Sequence, residues 1–331
     1  MAVRLMKAVQ YTGYGGGAAA LQHVEIPIPT PKEDELLIKL EAVSLNPWDT
    51  RSQEGKFRPL YPSRFPCIPG TDIAGEIVEV GPNVKNLQAG DKIVSFLSMD
   101  NGGGLSEYAI APANFTVKRP EEVSAEEGAC LPQAALTALQ AVRDHAGIQL
   151  NEGGKQTNLL LTAASGGVGH YAVQIAKLGG AHVTATCGTR NINLVMDLGA
   201  DEVLDYKTPE GAALKSPSGL KYDVVINCAK NTPWSTFQTN LSSSAKVIEL
   251  TPNLKSLARY VAQKVTLAKN QLLPIMVSRS LEDLSLVVNL AAEGKLRTHI
   301  DSKYPIEKVE DAWIKMSEGH ATGKIVVTFG N

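Results

Sequence analysis

The segment 158–180, NLLLTAASGGVGHYAVQIAKLGG, decides the fold. It begins with an apolar run of strand length, continues through a glycine-rich turn, and ends in a stretch whose apolar residues recur at helical spacing. A strand, such a turn and a helix in this order form a phosphate-binding unit, because the helix N-terminus offers backbone N–H groups to a pyrophosphate. The segment therefore predicts a dinucleotide site.

The turn fits the G-x-G-x-x-G register, with Ala164, Gly166 and Gly169 at the three small positions. The first position makes the tight turn, the second lets the pyrophosphate approach the backbone, and the third brings the helix close to the strand. Alanine at the first position departs from the strict motif. The residues that we expect to contact the cofactor are Ala164, Gly166, Gly167, Val168 and Gly169. An ordinary strand-to-helix turn is the alternative interpretation.

Cofactor choice depends on residues about 20 positions further on, where an acid binds a ribose 2′-OH and a cation accepts a 2′-phosphate. Residues 181–196 contain no Asp or Glu, and the strand-like run 182–187 is followed by Thr189 and Arg190. This pattern predicts NADPH, with Thr189 and Arg190 at the phosphate. A solvated surface cation is the alternative for Arg190.

The order of predicted elements indicates the fold class. After the turn, the apolar runs 182–187, 223–229 and 246–250 alternate with helical stretches, which predicts βαβ units and a parallel sheet. The first hundred or so residues instead show short β-type runs separated by turn formers. We predict an α/β protein: a doubly wound Rossmann domain at 127–298, a β-rich domain at 1–126, and a C-terminal segment at 299–331 that completes the β-rich domain.

The composition excludes several classes of protein. The 331 residues include 44% hydrophobic residues and carry a formal charge of −2, which is typical of a folded globular chain and argues against nucleic acid as a partner. The four cysteines form no CxxC pair, so a zinc ribbon or disulfide redox motif is not expected. The sequence shows neither a membrane-spanning segment nor a cleavable leader, so we expect at most peripheral membrane association.

Several motifs together identify a family resemblance: NPWD at 46–49, GTDIAGEIV at 70–78, GD at 90–91, LPQAALTA at 131–138 and AASGGVG at 163–169. With these the chain resembles the zinc-independent quinone oxidoreductase branch of the medium-chain dehydrogenase/reductase superfamily over essentially its whole length. Within that branch it is most similar to plant chloroplast envelope quinone oxidoreductase homologues and related enone reductases. The resemblance implies that the β-rich domain is a GroES-like substrate domain and that the active site lies in a cleft.

The resemblance also bears on metal binding. Zinc-dependent relatives place their catalytic ligands at positions that are Asn46, Thr71, Asp72 and Gln133 in this sequence, and none of these is cysteine. Amide and carboxylate oxygens alone are a poor zinc site, so we expect no metal. Without a Lewis acid, hydride addition to an electron-poor acceptor is favoured over alcohol oxidation. The expected reaction is therefore NADPH-dependent reduction of quinones or of the activated C=C of α,β-unsaturated ketones, including oxylipin-type enones.

The resemblance assigns catalytic roles to three residues near the first motif. Asn46 lies where the family places a residue near the nicotinamide, and its amide would donate to a substrate oxygen or to the ribose. A turn residue before Pro47 is the alternative. Asp49 and Arg51 follow with orienting or electrostatic roles; relatives usually carry lysine at the latter position.

Further cofactor contacts rest on the resemblance alone. Besides Asn46, they are Thr137, Tyr206, the backbone at Leu250 and Thr251, and Lys324. A helix threonine bonded to its own turn is the alternative for Thr137, and a strand-end aromatic is the alternative for Tyr206.

Two other functions remain open: an NADPH-binding regulatory or crystallin-like protein with little turnover, and a zinc-independent alcohol or carbonyl dehydrogenase. The resemblance implies a chloroplast location, peripheral at the inner envelope, with the cytoplasm as the alternative. We expect a monomer or homodimer.

Overall fold

The computed structural model describes residues 4–98, 102–150 and 156–330. The N-terminal part of the chain is mostly β-structure, as its turn-rich sequence predicts. Its strands are β1 (Leu5–Gln10), β2 (Gln22–Pro27), β3 (Glu35–Leu45), β4 (Asp72–Val80), β5 (Lys92–Phe96), β6 (Tyr108–Pro112) and β7 (Thr116–Lys118). Its helices are α1 (Pro47–Gln53), α2 (Ala125–Cys130) and α3 (Pro132–Leu139), which continues as a π-helical segment, Gln140–His145.

Strands and helices then alternate. The strands are β8 (Asn158–Thr162), β9 (His182–Cys187), β10 (Glu202–Asp205), β11 (Tyr222–Asn227), β12 (Leu241–Glu249) and β13 (Gln271–Pro274). The helices are α4 (Gly169–Leu178), α5 (Ile192–Asp197), α6 (Pro209–Ala212), α7 (Trp234–Gln238) and α8 (Leu254–Val265). All neighbouring strands are parallel, in the order β10-β9-β8-β11-β12-β13.

This strand order is that of a doubly wound Rossmann sheet, so the predicted fold class is confirmed. Apolar residues of the central strands are buried, and so are Gly169 to Ala176 of α4, which pack the helix closely on the sheet. The chain reverses its direction of strand addition at β8, and in open parallel sheets the ligand lies at the carboxyl ends of the strands at such a point.

The C-terminal part returns to the β-rich unit. Its elements are α9 (Leu281–Ala292), β14 (Ile300–Pro305), α10 (Val309–Glu318) and β15 (Lys324–Thr328). The larger sheet of this unit has the order β14-β15-β3-β4-β5-β7, with β6 also paired to β3, while β1 and β2 form a separate ladder. Ile325 pairs with Leu45, so the last strand lies directly beside the end of β3. Trp313 of α10 is buried in the core of this unit.

The unit boundaries lie at different positions from those that the sequence indicates. The chain divides into Met1–Leu136 with Arg279–Asn331, and Thr137–Ser278, whereas the sequence predicts a Rossmann domain at 127–298. The reason is packing: α2 contacts β3 and β4, and α9 contacts β7, so both helices belong to the β-rich unit. Within the described residues, the helices lack the combination of length and hydropathy that a membrane crossing requires.

Candidate functional site

The glycine-rich turn between β8 and α4 has a sharply constrained backbone. Ala163 has a φ of 50°, in the left-handed region that non-glycine residues rarely adopt. The Gly166 N–H donates to the Ala163 carbonyl at 3.0 Å and closes the turn. A Cβ atom at Gly169 would lie 2.3 Å from the same carbonyl oxygen, so this position requires glycine.

The turn is also fixed to the neighbouring strand β9. The Ala164 N–H donates to the Thr186 carbonyl at 2.8 Å, and the Ala163 N–H donates to the Thr186 hydroxyl at 3.2 Å. These bonds hold the backbone so that the first turn of α4, with its positive dipole end, follows directly. The geometry suits a pyrophosphate, and Gly167 and Val168 lie within this turn as the motif predicts.

Residues after β9 and β10 come together beside this turn. Thr189 and Arg190 are exposed directly after β9, and Tyr206 is exposed directly after β10. The Tyr206 N–H donates to the Cys187 carbonyl at 3.1 Å, which brings the two strand ends together. Lys207 Nζ lies 6.0 Å from the centre of the Tyr206 ring, so a second cation is close to the residues that the sequence associates with the 2′-phosphate.

Asp205 is an acid that the sequence reasoning did not consider. It pairs with Cys187 in the parallel ladder, and its carboxylate accepts a hydrogen bond from the Thr189 hydroxyl. It also accepts the Lys207 N–H at 2.9 Å, and these two bonds lower the pKa of Asp205. It lies outside residues 181–196 and reaches this loop from the next strand, β10.

Two of the three remaining predicted contacts of the Rossmann unit follow β12, on the side of β8 away from β9. Leu250 and Thr251 directly follow β12, and the Leu250 N–H donates to the Asn227 carbonyl at 3.1 Å. Thr137, also predicted as a cofactor contact, is half-buried in α3.

In the β-rich unit, Asn46 and Asp49 begin helix α1. The Asn46 N–H donates to Asp49 Oδ2 at 2.8 Å, which caps the helix, and Asp49 Oδ1 accepts the Gly70 N–H at 3.0 Å. Asp49 is buried, and burial raises its pKa to about 6. Arg51 is half-buried in the same short helix.

The amide of Asn46 is held between two buried charges. Lys324 Nζ donates to Asn46 Oδ1 at 2.5 Å, and Asn46 Nδ2 donates to Asp72 Oδ2 at 2.9 Å. A longer bond of 3.4 Å joins Nδ2 to the Ser44 carbonyl. Lys324 is only 3% exposed and Asp72 is fully buried, so sequence-predicted Asn46 and Lys324 are brought together in one buried cluster.

Asp72 is the centre of this cluster. Its Oδ2 accepts the Gln133 N–H at 3.0 Å, and its Oδ1 accepts the Thr71 hydroxyl at 3.1 Å. Burial raises the pKa of Asp72, while the Lys324 ammonium acts in the opposite direction. The positions that correspond to zinc ligands are thus occupied by hydrogen-bonded amide and carboxylate groups beside a lysine. This donor set does not fit a zinc ion, because the four positions carry no thiolate or imidazole and the one carboxylate already accepts hydrogen bonds from Asn46 and Gln133.

A small pocket opens beside Asp49 in the same unit. Its lining includes Trp48, Asp49 and Thr71. Trp48 stacks on Phe57 with 4.0 Å between ring centres and contacts the ring of Tyr61 edge-on. The segment between Gly55 and Pro69 therefore supplies aromatic surface that packs on Trp48 beside this pocket.

The fold and the two sites define a class: a two-unit dehydrogenase/reductase with a Rossmann dinucleotide unit. Family models agree, since residues 32–121 match the alcohol dehydrogenase GroES-like domain and residues 198–327 match the zinc-binding dehydrogenase model.

Similarity to known proteins identifies the family of this chain. The chain is 60% identical to the chloroplast envelope quinone oxidoreductase homolog of Arabidopsis thaliana, covering 99% of both chains. It is 30% identical to the chloroplastic NADPH-dependent alkenal/one oxidoreductase of the same plant, covering 97% of this chain and 79% of that one. The quinone oxidoreductase from Coxiella burnetii is 28% identical with a TM-score of 0.85, covering 98% and 99%. The chain belongs to the medium-chain dehydrogenase/reductase superfamily, among the quinone oxidoreductase homologues, and the predicted resemblance is confirmed. It is an oxidoreductase that uses a nicotinamide cofactor on a small-molecule substrate.

Proposed function

We propose that this protein is an NADPH-dependent reductase that transfers hydride to the activated C=C of α,β-unsaturated ketones or to quinones, without a metal. The observation that carries the proposal is the buried cluster of Lys324, Asn46 and Asp72, which replaces a zinc donor set with groups already hydrogen-bonded to one another. The names of the two Arabidopsis relatives, a quinone oxidoreductase homolog and an alkenal/one oxidoreductase, support the same substrate class.

The chemistry of the acceptor follows from the cluster. Bound NADPH supplies the hydride. A conjugated enone or a quinone accepts it without strong polarisation of its carbonyl, because the negative charge spreads into an enolate or a hydroquinone anion that hydrogen-bond donors can stabilise. An unconjugated ketone has no such route and needs strong polarisation of its carbonyl by a Lewis acid or a general acid.

The three catalytic candidates have different roles in this proposal. Asn46 would donate to a substrate oxygen or the ribose. To do so, its Nδ2 would break the long bond to the Ser44 carbonyl and keep the shorter bond to Asp72. Asp49 fixes the start of α1 and forms a wall of the aromatic pocket. Arg51 supplies positive charge from the same helix.

The preference for NADPH rests on the charges at the ends of β9 and β10. Arg190 and Lys207 bring two positive charges to this surface, and the exposed Tyr206 directly follows β10. Asp205 is the opposing charge, and its carboxylate already accepts hydrogen bonds from the Thr189 hydroxyl and the Lys207 N–H, which use part of its acceptor capacity. The balance favours a 2′-phosphate.

Substrate class is tested by stopped-flow oxidation of NADPH with a matched panel: an enone, the saturated ketone of the same carbon skeleton, a quinone, and the corresponding alcohol with NADP⁺. The proposal expects rapid oxidation with the enone or the quinone and none with the saturated ketone. Turnover of the alcohol at a comparable rate would favour a zinc-independent alcohol dehydrogenase. Tight NADPH binding without turnover of any acceptor would favour a regulatory protein.

For location we propose the chloroplast, peripheral at the inner envelope. The names of the plant relatives support the organelle, and helix α8 supports peripheral binding. Its residues Leu254, Leu257, Val261 and Val265 form one apolar face, with Leu254 85% and Val265 78% exposed. Residues 250–281 contain five basic residues and no acidic one. An exposed apolar face flanked by cations suits an anionic lipid surface.

Co-sedimentation with vesicles tests this location. The wild type should bind vesicles that contain anionic lipid and be released by salt, whereas Val261→Asp, which places a charge in the apolar face, should bind less. If the substitution leaves vesicle binding unchanged and instead converts a dimer to a monomer in ultracentrifugation, the apolar face is a contact between two copies of this chain.

A further inference from the structure

The last residues of three neighbouring strands in the Rossmann unit form one buried polar chain. Thr162 ends β8, Asn227 ends β11 and Glu249 ends β12, and the parallel register places Asn227 directly beside both of the others. All three are buried. None of them is among the residues that the sequence predicts as cofactor contacts.

The hydrogen bonds of this chain have a fixed direction. The Thr162 hydroxyl accepts the Cys228 N–H at 3.0 Å and the Ala229 N–H at 3.2 Å, so its own hydrogen is directed to Asn227 Oδ1 at 2.6 Å. The Asn227 amide nitrogen must then face Glu249, and it donates to Glu249 Oε2 at 2.9 Å. A flipped amide would set an N–H group against the two backbone donors at Thr162.

Glu249 is the last member of this hydrogen-bonded series, and its carboxylate can only accept. Its Oε1 accepts the Thr251 N–H at 3.1 Å, and the Thr251 hydroxyl lies 3.0 Å from the same oxygen. Donors therefore face both carboxylate oxygens. A glutamine side chain at this position would turn an amide N–H toward either Asn227 or the Thr251 N–H, so the site requires a carboxylate in particular.

The position of these three residues at the carboxyl edge of the sheet indicates their role. The glycine turn that suits the pyrophosphate follows β8, and the cations that suit the 2′-phosphate follow β9 and β10. A dinucleotide that crosses the carboxyl edge from that side extends its nicotinamide half over β11 and β12. The segments that Thr162 and Glu249 hold, Cys228–Ala229 and Leu250–Thr251, are the ones that follow these two strands.

We propose that Glu249, acting through Asn227 and Thr251, is a positioning residue that holds the two loops after β11 and β12 for the nicotinamide half of the cofactor. The inference rests on the use of a dinucleotide by this unit and deepens the proposed function. Glu249 touches neither cofactor nor substrate in this role. Its effect is to keep backbone groups in place, which reduces the ordering that binding would otherwise require.

The test separates the two halves of the cofactor by direct binding rather than turnover. The probes are NADPH, by fluorescence titration, and 2′,5′-ADP, which carries the adenosine and its 2′-phosphate but no nicotinamide, by calorimetry. We expect Glu249→Gln to weaken NADPH about 10-fold, the loss expected when a buried donor is left without its acceptor, and to change 2′,5′-ADP less than about twofold.

A reciprocal exchange is the matched control. In the double variant N227D/E249Q, the carboxylate introduced on β11 accepts from the Thr162 hydroxyl and from the amide introduced on β12. The oxygen of that amide accepts from Thr251, so the donors and acceptors match again. The exchange removes the bond from Asn227 Nδ2 to the Ala229 carbonyl at 3.1 Å. The double variant should nevertheless recover at least half of the change in log Kd for NADPH that E249Q causes. The single Asn227→Asp variant places two carboxylates side by side, so it should bind NADPH more weakly than both E249Q and the double variant.

Three results would overturn the inference: equal weakening of both ligands, no weakening of NADPH by E249Q, or a double variant no better than E249Q. If E249Q does not fold, Thr251→Val can be used instead, because it removes the hydroxyl that lies beside Glu249 Oε1. This variant should bind NADPH more weakly and 2′,5′-ADP with unchanged affinity. Failure of the proposed reductase function appears differently, as absent turnover by a wild type that still binds NADPH.

Discussion

The buried ammonium of Lys324 offers the sharpest test of the β-rich site. It is 3% exposed, it donates to Asn46 Oδ1, and it lowers the pKa values of Asp72 and Asp49, which burial raises. Lys324→Met keeps the aliphatic stem and removes the charge, so the two carboxylates lose their buried cation. Lys324 Nζ reaches Asp72 through the amide of Asn46 rather than in a direct ion pair, so the loss should lie near the lower end of the range for breaking a buried ion pair, about 3 kcal/mol. For a unit of this size the loss corresponds to about 10 °C in Tm.

Differential scanning calorimetry measures this loss, and the chain contains a matched control. Lys303 forms an exposed ion pair with Glu126 at 2.9 Å, and the Lys303 side chain is 52% exposed. Surface pairs contribute at most about 1 kcal/mol, so Lys303→Met should lower Tm by no more than a few degrees. The double variant D72N/K324M should recover part of the loss, because one unpaired carboxylate is then removed. If K324M and K303M had the same Tm, the argument that Lys324 compensates the buried carboxylates would be refuted.

Three further outcomes are expected. Arg190→Ala should weaken NADPH by about 1–3 kcal/mol and leave NADH almost unchanged in fluorescence titrations, because a charge-assisted bond to the 2′-phosphate is lost; equal losses would contradict the cofactor assignment. The pKa of Asp49, raised to about 6 from 3.8, means that its contribution to stability is fully present below its unfolded pKa and is lost as pH rises through 6. Denaturant titrations should therefore show the stability of the wild type relative to Asp49→Asn increasing by about 2 kcal/mol as pH falls from 7 to 4, and a constant difference would be inconsistent with this shift. The purified protein should contain no stoichiometric zinc and keep its NADPH oxidation in a chelator, whereas elemental analysis that finds one tightly held zinc per chain would exclude the metal-free site.

The glycine turn could be predicted because its geometry is local. The strand, the turn and the start of α4 lie within a dozen or so residues, and the need for glycine at Gly169 follows from the distance of its backbone to the Ala163 carbonyl. The positions of Thr189 and Arg190 beside the turn follow from the same reasoning, since the carboxyl ends of neighbouring parallel strands lie at the same edge of a sheet.

Contacts between distant segments could not be predicted in this way. Asp205 faces Thr189 only because β10 pairs with β9 in a particular register. Lys324 and Asn46 are 278 positions apart, and their contact depends on the pairing of β15 with β3. Glu249 appears in the sequence as the polar end of an apolar strand, and its partners become visible only when three strand ends are set side by side.

The most direct test of the central claim follows the hydride itself. NADPH carrying deuterium at the reactive position of the nicotinamide is oxidised with a conjugated ketone, and the product is examined by NMR. We predict deuterium on the β-carbon with the C=O intact, because a site without a Lewis acid reduces the activated double bond. Deuterium on the carbonyl carbon, with an allylic alcohol as the product, would contradict the account.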